Sequence, residues 1–215
     1  PGRPLPARLR PAFLPAARAL LLVRLAARKR RGALGLGQRH GRPPPGRRLD
    51  VGLVLGEGCG VGCGRGEFLD LLQERGIGAH GIDINREMVE ECQSRGLKAE
   101  VGDVLTHLDG LEDESLGGLF AAQVVEHLQP DYLVRFLNLA GRKLRPDTKI
   151  VLETINPSCW FAFFNAYIRD ITHAQPLHPD TLQYLLTASG FQRTTIRYSA
   201  PYPEDGKLHH AEAPS

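Results

Sequence analysis

Residues 51–70 read VGLVLGEGCGVGCGRGEFLD. An apolar, β-type run from Val51 to Leu55 enters a segment with Gly at every even position from Gly56 to Gly66. Glu67-Phe68-Leu69-Asp70-Leu71-Leu72 then reads as the first turns of a helix. Strand, glycine turn and helix start make a nucleotide cradle. Glycine lets backbone approach a ligand and take positive φ without penalty. The helix N-terminus adds unpaired N–H groups and the positive end of a dipole. A dinucleotide fold needs Gly at i, i+2 and i+5, and no start within the stretch gives it. The i+5 position falls on Val61, Cys63, Arg65 or Glu67, so an NAD(P)-dependent oxidoreductase is disfavoured. The stretch offers overlapping G-x-G-x-G registers instead.

A chain of 215 residues suits one ordinary domain with a tail. It has no apolar run long enough to span a bilayer. The net charge of +3 hides an asymmetry. Residues 1–48 hold 13 Lys and Arg and no acid, so the remainder has 14 bases against 24 acids, a net of −10. An acidic domain argues against wrapping nucleic acid. Cys59, Cys63, Cys92 and Cys159 have no framework spacing, and no second Cys or His pair stands in sequence to complete a zinc site. Free thiols in a reducing, cytoplasmic setting and no metal are expected.

Residues 1–48 form a basic, Pro-, Arg- and Ala-rich segment that ends in the linker GRPPPGRR. Within it, residues 13–31 fit a basic amphipathic helix suited to an anionic membrane surface, which would put the protein at the inner face. A transit peptide and a solvated tail fit the same composition. Residues 49–200 are expected to be the catalytic domain and 201–215 a frayed tail. After the glycine turn, helices are expected over 67–75, 86–95, 131–144 and 179–189. Strands are expected over 79–83, 97–101, 116–125, 149–154 and 191–198. Such alternation predicts an α/β, doubly wound, mostly parallel Rossmann-like sheet, with no obvious seventh strand.

Ligands in such sheets bind beyond the carboxyl ends of the strands. Asp83 ends the second strand, 17 residues after Gly66. A carboxylate there can take both hydroxyls of a ribose; capping the next helix is its other use. Asp103, in Gly102-Asp103-Val104, can accept from an adenine amine while the Val104 N–H donates to the ring; a plain surface turn is the alternative. Gln123 ends the fourth strand and would line the floor of such a site. Two histidines stand where a proton acceptor is needed. His127 follows the fourth strand, in Val125-Glu126-His127-Leu128. His173 follows a loop bearing Trp160, Phe161, Phe163, Phe164 and Tyr167, and stands three residues after Asp170. That spacing would let the carboxylate orient the His173 ring. Structural hydrogen bonding is the alternative for either ring. The aromatic loop reads as an acceptor lid.

The segments GCGRGEFLDLL, HGIDINREMVEECQSRG, GDVLTHL, LGGLFAAQVVEHLQPDYL, RKLRPDTKIVLETINP and RDITHAQPLHPDTLQYLLTASGF occur in that order. Together they resemble the class I S-adenosylmethionine-dependent methyltransferases over residues 51–198, most closely a bacterial branch that is encoded with glycosyltransferases and modifies surface polysaccharides. The resemblance implies a seven-stranded sheet and S-adenosylmethionine as cofactor. It implies binding by Gly62, Gly64, Gly66, Asp83, Ile84, Asp103, Val104 and Gln123, and a hydroxyl or amine acceptor on a small molecule or saccharide. There are two departures. The family places an acid two residues before the first glycine of its motif, where this chain has Gly60; Glu57 is the nearest acid. The seventh strand is not apparent. A catalytically impaired binding or scaffold domain is therefore the other reading.

Overall fold

The computed structural model describes residues 18–24, as backbone, and 57–199. Seven strands and six α-helices occur among them: β1 (Arg18–Arg24), β2 (Gly58–Val61), α1 (Glu67–Gln73), β3 (Ala79–Asp83), α2 (Arg86–Ser94), β4 (Ala99–Val101), α3 (Val104–Gly110), β5 (Leu116–Ala122), α4 (Pro130–Lys143), β6 (Leu144–Ile155), α5 (Trp160–Asn165), α6 (Pro179–Ala188) and β7 (Gln192–Ser199). The sheet runs β4-β3-β2-β5-β6-β1-β7. β4, β3, β2, β5 and β6 are parallel, and β1 lies antiparallel to both β6 and β7. The order reverses between β2 and β5, which is where a doubly wound sheet opens its crevice.

Two expectations change. The strand beside β3 and β5 is Gly58–Val61, inside the glycine run, whereas Val51–Leu55 lies outside the described residues. A strand of sequence GCGV has little intrinsic β preference, but it is hydrogen-bonded on both sides and buried throughout. Tertiary pairing overrides propensity here. The second change concerns residues 18–24, which form β1 and not part of a basic amphipathic helix. This strand fills the slot between β6 and β7, so the strand missing from the sequence reading comes from the segment ahead of the domain expected at 49. The expected tail at 201–215 lies outside the described residues.

Local signals explain the helices. Asn85 caps α2, its side chain accepting from the Glu87 and Met88 N–H groups at 2.9 and 3.4 Å. Asp103 caps α3 through the Thr106 N–H at 2.9 Å. Pro130 and Pro179 stand in the first turns of α4 and α6, where a missing N–H is harmless. Leu133, Phe136, Leu137 and Ala140 form the buried stripe of α4, and they pack with Leu119, Ile150, Leu152, Leu182, Leu186 and Phe191 into the main core. Each Leu, Ile or Phe among them contributes roughly 1.5–3 kcal/mol by burial. Leu69, Cys92 and Leu97 form a smaller cluster beneath the glycine turn. No helix among the described residues is long and apolar enough to cross a membrane.

Candidate functional site

A cavity of about 660 Å³ opens beyond the carboxyl ends of β2, β3, β4 and β5. That is within the usual size for small-molecule sites. Gly62, Asp83, Ile84, Asp103, Val104 and Gln123 all line it, and so does His127. Gly64, Gly66 and His173 do not. Gly62, Gly64 and Gly66 turn the chain from β2 into α1 with φ of 58°, 53° and 84°.

Asp83 fastens this turn. Its Oδ2 accepts from the Gly64 N–H at 2.9 Å and its Oδ1 from the Asn85 N–H at 2.9 Å. Both oxygens keep a lone pair free for a ligand hydroxyl, so the carboxylate can hold the turn and still accept from a ligand. Asp103 accepts from Thr106 and from the Tyr132 hydroxyl. Partial burial raises its pKa, but these donors outweigh it and hold the carboxyl below its ordinary range. Burial, then the Asp103 carboxylate, push the Tyr132 phenol up to about 12, so it stays a donor. Tyr132 is a wall residue that the sequence reading missed. It stands on α4, 29 residues from Asp103, and no local spacing signals the pairing.

The residues present fit an adenosine-type cofactor. Gln123 is held with φ of 55°, its N–H donating to Glu153 O at 2.8 Å, while its buried Nε2 has no partner. An orphaned donor on a cavity wall is a group that a polar ligand satisfies. The acid expected before the glycines is not replaced, however. Glu57 lies ahead of β2, at the opposite end of the strand from the cavity, and pairs with Lys98 at 3.7 Å.

Beside the cavity is a second polar group. Thr172 Oγ1 donates to Asp170 Oδ1 at 2.6 Å and stands 2.9 Å from His127 Nδ1. Hydrogen bonds from Thr172 hold the Asp170 carboxyl below its ordinary range, so it is an acceptor only. Thr172 has one hydroxyl proton, and it goes to Asp170. Thr172 therefore accepts from His127 Nδ1–H, which leaves Nε2 of His127 with its lone pair free. The expected Asp170–His173 hydrogen bond is not formed, since the groups stand 4.0 Å apart. His173 donates Nδ1–H to Tyr167 O at 2.6 Å, stacks on the Tyr167 ring at 4.4 Å, and stands beside His127 at a ring distance of 4.6 Å, its side chain only 6% exposed. Ala174 N–H, bonded to Glu126 O at 2.8 Å, pins this loop to the end of β5.

Glu126 is fully buried, and neither carboxylate oxygen has a hydrogen-bond partner. Burial raises its pKa; the Thr154 hydroxyl, near but outside good hydrogen-bond geometry, and the two histidines offset this only in part. Tyr167, its phenol also without a partner, is raised by burial and by Glu126. Among the described residues, the buried side-chain polar atoms without partners all belong to Gln123, Glu126, Thr154 and Tyr167. Such groups are rare and call for a reason. His178 caps α6, its Nδ1 accepting from the Asp180 N–H at 3.2 Å.

Residues 59–152 match the family described as Methyltransferase domain. None of the curated proteins matches the chain. A SAM-dependent methyltransferase from Archaeoglobus fulgidus is similar in structure, with a TM-score of 0.61 and 38% identity over 64% of this chain and 61% of that one. A SAM-dependent methyltransferase from Methanosarcina mazei is similar at a TM-score of 0.53 and 20% identity, over 62% and 78% of the two chains. So is phosphoethanolamine N-methyltransferase 2 of Haemonchus contortus, in complex with S-adenosylhomocysteine, at 0.53 and 16%, over 64% and 33%. The chain thus spans about three fifths of the Archaeoglobus protein. From β2 to β6 the chain is similar to a methyltransferase domain and shares the parallel-sheet fold of these S-adenosylmethionine-dependent enzymes.

Proposed function

We propose that this domain transfers a methyl group from S-adenosylmethionine to a hydroxyl or amine of a small molecule or saccharide. The observation that carries this reading is the pairing of two sites at one sheet edge. One is a cradle of glycine turn, Asp83 and Asp103; the other is His127, which lines the same cavity and is oriented through its Nδ1 by Thr172. S-adenosylmethionine supplies a methyl group already activated on a sulfonium. Alignment in a dry pocket then contributes most of the acceleration. Asp83 holds ribose hydroxyls, Asp103 and the Val104 N–H meet the adenine, and Gln123 Nε2 meets the amino-acid end. His127 takes the acceptor proton on Nε2 and keeps its Nδ1–H on Thr172, with Asp170 behind. His173 and Glu126 position the loop and His127.

The acceptor would enter past α5, where Trp160 and Phe164 are exposed, their rings tilted at 41° with centroids 5.5 Å apart. Aromatic faces suit the C–H face of a sugar, which favours a saccharide, and with it the polysaccharide-modifying branch working in the cytoplasm near the membrane. A second reading has one observation behind it. Gly60 stands where the family has an acid and Glu57 lies at the far end of β2, which favours an impaired binding domain.

Calorimetry with S-adenosylmethionine, S-adenosylhomocysteine and NAD separates these readings. Binding of the first two and not NAD, with methylation of a saccharide panel, is expected. Binding without turnover on any acceptor supports the scaffold reading, and NAD binding alone rejects both. His127→Ala should lower turnover by roughly 10²–10⁴ and remove the acidic limb of the pH–rate profile. Near-normal turnover in that variant, with loss in His173→Ala, would move the base to His173.

A further inference from the structure

The face of β2 and β3 that presents Val61 and Ile82 to the cavity carries Cys59 and His80 one layer below. Those two residues are register partners on adjacent strands. α3 lays His107 across them. His80 Nε2 and His107 Nε2 stand 2.9 Å apart, and with the Cys59 sulfur they form a group whose ligand atoms all lie within 4.8 Å of one another. Glu100 Oε1, from β4, stands 2.5 Å from His107 Nδ1. Cys59 is buried, and the His107 side chain is 12% exposed. None of these four side chains lines the cofactor cavity. The residues are far apart in sequence, which is why spacing alone offered no histidine to join Cys59.

We propose that Cys59, His80 and His107 bind a zinc ion, with Glu100 as the outer partner of His107. The reasons are geometric and chemical. In a tetrahedral site with zinc–nitrogen bonds of 2.0–2.1 Å, two ligand nitrogens stand about 3.3–3.4 Å apart. The observed 2.9 Å needs an outward step of under half an ångström at the ends of two side chains. Glu100 accepts His107 Nδ1–H, which fixes the tautomer and turns the Nε2 lone pair inward. This carboxylate–histidine pairing is the usual outer support of a zinc ligand. One thiolate and two imidazoles form a ligand set that suits zinc and not magnesium or calcium. On binding, the Cys59 thiol proton leaves to solvent, and the proton shared between the imidazoles is displaced to His80 Nδ1. Three protein ligands leave a fourth position for water. The ion would tie β2, β3 and α3 together directly beneath the cofactor floor.

Cobalt titration of the metal-free protein tests this. Of the two groups of potential metal ligands among the described residues, only this one contains sulfur; the other is Glu126, His127 and His173. A thiolate-to-cobalt charge-transfer band, saturating at one equivalent and displaced by zinc, is expected. Cys59→Ala should abolish that band, and Cys63→Ala should keep it. Glu100→Gln, at a half-exposed side chain, should loosen zinc about 10- to 100-fold; it carries the test if Cys59→Ala does not fold. Absence of the band in the wild-type protein, its survival in Cys59→Ala, or unchanged zinc affinity in Glu100→Gln overturns the site. None of these readouts depends on methyl transfer.

Discussion

Glu126 is a fully buried carboxyl with both oxygens unpaired, next in sequence to the cavity-lining His127, which makes it a titrating liability. Burial raises its pKa above the ordinary 4.5, so the folded state binds its proton more tightly than the unfolded chain does. Its contribution to stability is complete below the unfolded value and is lost as pH rises through the higher folded value. Glu126→Gln removes that titration. The variant should gain on the wild-type protein between acid and neutral pH, by at least about 1 kcal/mol, or roughly 2–4 °C in Tm for a domain of this size. Melting curves at several pH values measure it, and a difference independent of pH would show that the carboxyl is not buried as ionised. Asp83 behaves differently, because it is already bonded to backbone. Asp83→Ala removes the lock on the Gly64 N–H together with the ribose acceptor, and should weaken S-adenosylhomocysteine by about ten- to a hundred-fold. Unchanged affinity in a folded variant would sink that assignment. Gly62, Asp83, Asp103 and Gln123 were legible because strand ends are ligand ends. The relay from Asp170 through Thr172 to His127 was not, since it joins side chains 45 residues apart and the tempting i, i+3 spacing pointed to His173.

At the scale of elements, the glycine turn is held by packing as much as by its own conformation. Gly66 has φ of 84°, and a Cβ there would meet Leu97 Cδ1 at 2.6 Å and Cys92 Sγ at 2.9 Å. Gly64, with φ of 53°, has open space around the same position. Gly64→Ala should therefore carry only the left-handed penalty of about 1–2 kcal/mol. Gly66→Ala should add about 1–3 kcal/mol of overpacking against α2. Urea denaturation of the pair separates the two terms; equal losses would mean that α2 yields freely. The helices with a cap or an apolar stripe, α1, α2, α4 and α6, lie within a residue or two of where periodicity put them. α3 is as short as α1 but lacks the glycine turn that marked where α1 begins, and its only local signal is the cap formed by Asp103 with Thr106. β2 was displaced because the apolar run at Val51–Leu55 looks more strand-like than Gly58–Val61, and pairing on both sides outweighs that preference.

At the scale of the whole molecule, the sheet is continuous only because β1 joins β6 to β7. Leu21 stands opposite Leu152 of β6 and Ile196 of β7. Without β1 the parallel strand β7 would face no partner, and two edges of unpaired N–H and C=O groups would be exposed, a recognised route to aggregation. The basic segment thus has a structural role that its composition hid, because a run of Arg, Ala and Leu reads equally well as an amphipathic helix. Proline in a central strand removes a ladder donor and is poorly tolerated. Leu21→Pro should leave amides of β2, β3 and β5 protected from hydrogen exchange while those of Gln192–Ser199 exchange at least about tenfold faster, equivalent to 1.4 kcal/mol of lost local stability. The variant should also aggregate sooner at equal concentration. If β7 keeps its protection in Leu21→Pro, residues 18–24 do not hold the sheet together and the membrane-surface helix regains its place as the account of that segment.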